Sequence, residues 1–122
     1  MIGHCGFTAL GDPIACAAIV DSGRVDTAQV YFNLINPSAG FDLAYQWHSN
    51  NYRGLLARCQ AMDVGVLGIR VYAAGLLASQ DRHGREIPVA ENASYEEERP
   101  RADLIAKIMK DCLLYTSDAA DE

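Results

Sequence analysis

"GDPIACAAIVDSGRVDTAQVYFN", Gly11 to Asn33, contains a helix start, a helix stop and a strand. Asp12 suits the N-cap, because its carboxylate accepts from first-turn amides that have no partner inside the helix. Pro13 fits the first helical position, where its missing N–H costs nothing and its fixed φ is already helical. "IACAAIVDSG" then reads as a helix closed by Gly23, since glycine adopts the left-handed conformation that ends many helices. Asp26 to Asn36, "DTAQVYFNLIN", is aromatic and branched enough for a strand. Its apolar content is nearly continuous, which suits a parallel sheet covered on both faces.

Working outward, the same alternation recurs on both sides. Upstream, "HCGFTAL" (His4 to Leu10) is a short apolar run. Downstream, the irregular "NPSAGFDLAYQWHSNN" leads to a helix with Tyr52, Leu55, Leu56, Cys59 and Met62 on one stripe. "VGVLGIRVYAAG" (Val64 to Gly75) is the third strand. A polar segment from Ser79 to Arg99 follows, and Pro100 starts a last helix. Leu104, Ile105 and Ile108 form its expected buried face, and Asp103 and Lys107 an i,i+4 pair on the wet one. Three strand–helix units predict an α/β fold of right-handed parallel crossovers. A closed barrel takes eight units and about 250 residues, so three are a slice.

The bulk properties agree with one globular domain at most: 122 residues, 50% hydrophobic and 21% charged. No apolar run approaches the ~20 residues of a membrane span. The first residues have no basic region, and Asp12 interrupts the apolar run, so they do not read as a signal peptide. A cytoplasmic location follows as the expectation, with Cys5, Cys16, Cys59 and Cys112 as reduced thiols. Neither the cysteine spacing nor His4, His48 and His83 suggests a metal site. Asn92-Ala93-Ser94 is a glycosylation sequon without meaning in such a chain. A net charge of −6 with no basic cluster speaks against nucleic acid. The Gly-x-Gly-x-x-Gly and Gly-Lys-Ser/Thr phosphate loops are absent.

Two polar residues sit within the predicted strands. Gln29 among apolar neighbours needs hydrogen-bond partners if buried, as a ligand contact or as a structural amide. Arg70, between Ile69 and Val71, needs an acidic partner or an anion. Thr8 alone is simply a good strand residue, and "YEEERPRAD" a solvated helix start.

Three segments together resemble the second half of the aldo-keto reductase family. "GFTALGDPIACAAIVDSGRVDTAQVYFNLINPSA" looks like the family's fifth strand and helix running into the sixth strand. "YRGLLARCQAMDVGVLGIRVYAAGLL" is similar to the sixth helix and seventh strand, and "RADLIAKIMKD" to the start of the next helix. The resemblance implies part of a (β/α)₈ TIM barrel, about three consecutive βα units, over residues 1–111. It implies a nicotinamide cofactor, NADP or NAD, and a small-molecule carbonyl or sugar substrate, closest to the subgroup acting on aldoses.

Carried over by position, Thr8 stands where the family has a serine bonding the nicotinamide carboxamide. Ala9 replaces a frequent asparagine, and Gln29 matches a glutamine holding the same carboxamide. Arg70 falls beside the nicotinamide ring, with Val71-Tyr72 in place of the usual Pro-Leu. Gly75 and Leu76 open the turn that approaches the diphosphate. A carboxamide offers one acceptor and two donors in a plane, which a glutamine side chain can answer; glycine lets backbone approach a phosphate closely. Phe41 and Trp47 are candidates for a substrate-pocket lining.

The family's catalytic aspartate, tyrosine, lysine and histidine come from strands one to four, before this chain begins. The only lysines are Lys107 and Lys110, so a strand tyrosine has no lysine neighbour in its own element. No catalytic residue is assigned, and the chain alone is expected to be inactive. The alternative is a complete small α/β domain that binds a ligand or partner without catalysis.

"CLLYTSDAADE", Cys112 to Glu122, resembles translated sequencing-adapter read-through, of the kind met at the ends of metagenomic reading frames. On that reading residues 112–122 are a non-native tail. Without them 13 acids face 10 bases, a charge of −3. The other reading is a native helix extension through Leu113 and Leu114 with an acidic end.

Overall fold

The computed structural model describes residues 2–43, 50–78 and 94–117. Trp47, His48, His83, Asn92 and the acids Asp118, Asp121 and Glu122 lie outside them. Three strands, β1 (Gly6–Ala9), β2 (Thr27–Tyr31) and β3 (Gly65–Ile69), alternate with helices α1 (Pro13–Asp21), α2 (Leu55–Ala61) and α3 (Tyr95–Ser117). The sheet is fully parallel in the order β1-β2-β3, so each crossover adds a strand on the same side. The mixed α/β class and the three expected units are present.

Local chemistry sets the boundaries. Asp12 caps α1, accepting from the Ile14 and Ala15 amides at 3.2 and 3.0 Å, with Pro13 at the first helical position. Gly23 follows at φ 63°. β2 stops at Tyr31, five residues short of the expected end. Asn33 terminates it: its Oδ1 accepts from the Ile35 and Asn36 amides, both at 2.9 Å, folding the chain into a turn. β3 is also shorter than expected. After Ile69, Arg70 takes φ 54° and the chain enters a 3₁₀ turn at Ala73–Gly75.

α3 begins at Tyr95 rather than Pro100. Ser94 and Glu97 form a capping box: the Glu97 amide donates to Ser94 Oγ at 3.3 Å, and the Ser94 amide to Glu97 Oε2 at 3.5 Å. Pro100 therefore lies inside the helix, which runs on past Asp111 through Cys112.

α1 packs on α2, and α2 on β2 and β3, so the core lies on one side of the sheet. It includes Val20, Ala28, Val30, Leu55 and Cys59. Arg58 ties α2 to Asp21 of α1 at 2.6 Å, a half-exposed pair worth at most about 1 kcal/mol.

Three expectations are corrected here. The sheet is not covered on both faces: Gln29 is exposed and every residue of β3 is exposed or half-buried. Side chains alternate across a strand, so continuous apolar sequence does not require two coverings. On α3, Leu104 and Ile108 are 59% and 53% exposed, while Glu98 and Ala102 are buried. The helix meets the core near its start, so the small Ala102 and a carboxylate occupy the contact and only Ile105 of the expected face is partly covered. Asp103 pairs with Arg99 at 2.8 Å, the i,i+4 partner on its N-terminal side.

Candidate functional site

Strand register builds the site. Gly6, Thr27 and Gly65 form one row across the three strands, and Thr8, Gln29 and Leu67 the next row on the same face. This is the face opposite the core. The first row carries a single side chain and the second carries three, which leaves a hollow of about 330 Å³ lined by Gly6, Phe7, Thr8, Thr27, Gln29 and Leu67.

Two of the sequence-predicted residues meet there. The Thr8 hydroxyl donates to Gln29 Oε1 at 3.0 Å. The bond fixes the amide with its oxygen toward Thr8, leaving both Gln29 Nε2 hydrogens and the Thr8 oxygen lone pairs for another group. Gln29 is thus neither a buried structural amide nor unsupported: it is exposed and aligned by its neighbour. Ala9, beside Thr8, is fully buried on the opposite face and lines nothing. None of the six lining residues is ionisable, so the hollow has hydrogen-bonding groups but no proton donor or base of its own.

Arg70, Gly75 and Leu76 lie elsewhere. Arg70 is the first residue beyond β3, and its carbonyl accepts from Asn33 Nδ2 at 3.1 Å. That bond joins the ends of β2 and β3. The turn that follows is backbone-strained, with Arg70, Ala73 and Ala74 at positive φ and Gly75 at φ 93°. A Cβ on Gly75 would touch nothing within 4 Å, so the position needs glycine for its dihedral and leaves open space outside. The Leu76 side chain is buried in the core. The three residues share one turn, but they do not line the hollow.

At the same end of the sheet lies a cluster that sequence reading missed. Tyr31 is buried, with its ring 6.0 Å from that of Tyr52, and its hydroxyl has no hydrogen-bond partner. Burial pushes its phenol above the ordinary range, the Asn33 side chain opposes this, and the Glu98 carboxylate adds to it. Asn33 does not reach hydrogen-bonding geometry to that hydroxyl, so burial decides the direction. The signal available in sequence was the aromatic pair Tyr31 and Tyr52, with no rule to bring Glu98 near.

A second polar group beside the core is structural. Ser38 Oγ donates to Asn36 Oδ1 at 2.6 Å and accepts from the Tyr52 amide at 3.0 Å. Asn36 Nδ2 and Asn50 Nδ2 donate to the Asn50 and Gly11 carbonyls, pinning the chain around the irregular stretch. Phe41 is 60% exposed and lies 6.3 Å from Phe32, outside the hollow.

Among the described residues no group of histidine, cysteine, aspartate or glutamate is placed to hold a metal ion. Nor is any helix among them long and apolar enough to cross a membrane. No protein-family model, curated protein or solved structure matches the chain.

Proposed function

We propose that residues 1–111 are three βα units of an NADP- or NAD-dependent aldo-keto reductase barrel, whose full-length parent reduces carbonyls or oxidises sugar lactols. The observation that carries this reading is the Thr8–Gln29 bond on the uncovered face. Gln29 Nε2 supplies donors and Thr8 Oγ1 an acceptor, side by side on adjacent strands. That set complements a carboxamide, with an acceptor for its NH₂ and donors for its oxygen. Leu67, on the other side of Gln29 in the same row, adds the apolar contact a heteroaromatic ring needs. The hollow has room for the carboxamide end of such a cofactor, and the residues present fit it.

In this reading the cofactor supplies hydride chemistry when bound, and this chain only orients it. Thr8 holds Gln29, Gln29 and Thr8 hold the carboxamide, and Leu67 keeps water from the adjoining surface. Proton transfer belongs to residues outside the hollow, since nothing lining it titrates. The open strand edges also favour a slice over a complete domain. Among the described residues β1 and β3 each pair on one side only, and Val66 and Leu67 of β3 are 43% and 52% exposed.

Nicotinamide cofactor titrated into the full-length parent and its Gln29→Ala variant tests the reading. Losing one neutral hydrogen bond costs roughly 0.5–1.5 kcal/mol, so Kd should rise about 2- to 12-fold. Equal affinities would make the Thr8–Gln29 pair structural. A monomeric, cooperatively melting 1–111 chain would favour the small binding domain instead.

A further inference from the structure

Glu98 is the feature the cofactor reading leaves unused. It is 1% exposed in the first turns of α3, and its Oε1 has no hydrogen-bond partner. Among the described residues it forms no ion pair. Arg101, three residues on, lowers its proton affinity without closing a salt bridge, and one buried Arg101 nitrogen is itself unbonded. The Glu98 charge is felt by the buried Tyr31 hydroxyl of β2, a second group without a bond. Among the described residues, the charged and titratable groups that act on Glu98 and Tyr31 are Tyr52, Arg70 at the end of β3, and Glu97 and Arg101 on α3 itself.

The neighbouring glutamates show that the sequence does not require this burial. Glu96 and Glu97 occupy the same turn, and both are exposed. Glu97 completes the capping box with Ser94. Glu98 and Ala102, one turn apart, are the most deeply buried of the described α3 side chains. A buried, unpaired carboxylate is costly, whereas the neutral acid is tolerated.

We propose that Glu98 is a pH-sensitive latch: its neutral carboxyl lets the first turns of α3 seat against the core beside Ala102 and Ile105, and ionisation releases them. Burial raises the Glu98 carboxyl above the ordinary carboxylate range, with Arg101 opposing and Glu97 adding. For an acid raised on docking, the stabilisation is complete below its ordinary titration range and is lost as pH rises through the raised value. α3 therefore docks tightly in acid and loosens toward neutral pH.

Hydrogen exchange of the whole 122-residue chain between pH 4 and 8 reads this out in peptides spanning residues 97–106, as protection factors with the intrinsic pH dependence divided out. Protection should fall by up to about tenfold per pH unit between the ordinary carboxylate range and the raised value, the slope of a one-proton linkage, and level off above it. Glu98→Gln keeps the shape without the charge, so its protection should be independent of pH. Glu97→Gln, on the exposed side of the same turn, should keep the wild-type slope. Flat protection in the wild type, or the wild-type slope retained in Glu98→Gln, overturns the latch. If Glu98→Gln fails to fold, the Glu98 carboxyl carbon resonance in the wild type decides. Titration in step with α3 protection supports the latch, and titration in the ordinary range with unchanged protection overturns it.

Discussion

Thr8 and Gln29, 21 positions apart in the chain, stand opposite each other in the β1–β2 ladder and share a 3.0 Å side-chain hydrogen bond. The bond crosses between parallel strands, so it exists only when the crossover through α1 has the right length. The capped and terminated α1 sets that length, and the pair is a direct product of the helix signals at Asp12 and Gly23.

Thr8→Val keeps the shape and removes the hydroxyl. Because the pair is exposed, the loss of stability should stay near or below about 0.5 kcal/mol by urea denaturation. On the proposed cofactor reading, the same change in the full-length parent should weaken nicotinamide binding several-fold, through an amide left free to rotate. A stability loss above about 2 kcal/mol would show that the pair is a structural tie.

Asn33→Ala should be among the most damaging single changes in the described residues. It deletes the acceptor for two amides and the donor to the Arg70 carbonyl. Each buried group left unpaired costs about 1–3 kcal/mol, so a loss of at least about 2 kcal/mol is expected. Asn33→Asp retains the acceptor alone and should cost less. Chemical denaturation of the two variants ranks them.

The strained turn gives opposite expectations for adjacent positions. Ala74→Gly relieves a left-handed backbone at φ 55° and should be neutral or stabilising by up to about 1 kcal/mol. Gly75→Ala should destabilise by about 1 kcal/mol or more from strain alone, since no clash awaits its Cβ. Gly75→Ala should therefore lower the melting temperature, and Ala74→Gly should leave it unchanged or raise it.

The approach to β1 should loosen in acid. Asp26 accepts from the Cys5 amide at 2.7 Å and lies 3.5 Å from His4. The Cys5 amide, and then His4, hold its carboxyl below the ordinary range. A depressed acid contributes stability above its ordinary titration range and loses it as pH falls through the depressed value. The Cys5 amide resonance should shift and lose protection below about pH 4, the ordinary carboxylate value. Asp26→Asn should abolish that change.

The elements were legible where one residue decides a local geometry. Asp12, Pro13 and Gly23 bounded α1 correctly. Ser94 and Glu97 spelled a capping box in plain sequence, and Pro100 drew attention away from it. β2 ended early because Asn33 offers the backbone a turn that competes with the ladder, a choice composition does not reveal. The uncovered face was not legible, because apolar periodicity reports how greasy a strand is and not how many layers pack on it. Thr8 and Gln29 were legible as candidates, and only strand register shows that they touch. Glu98 was hidden because three consecutive glutamates look alike until the helix is rotated against a neighbour.

The row Gly6–Thr27–Gly65 has a consequence for how the hollow persists under mutation. Its depth is set by missing atoms, and cavities of that kind are easily lost when a glycine drifts to a larger residue. Here the drift is obstructed. A Cβ on Gly6 would collide with Thr27 Oγ1, whereas one on Gly65 would meet Thr27 Cγ2 at 3.4 Å, the edge of ordinary contact. Thr27 is stiff about χ1, and its backbone oxygen, 3.1 Å from a Cβ on Gly6, does not move with the side chain. A step that fills the hollow from Gly6 therefore strains the sheet first, and the concavity is buffered against gradual loss at that end by its branched neighbour Thr27.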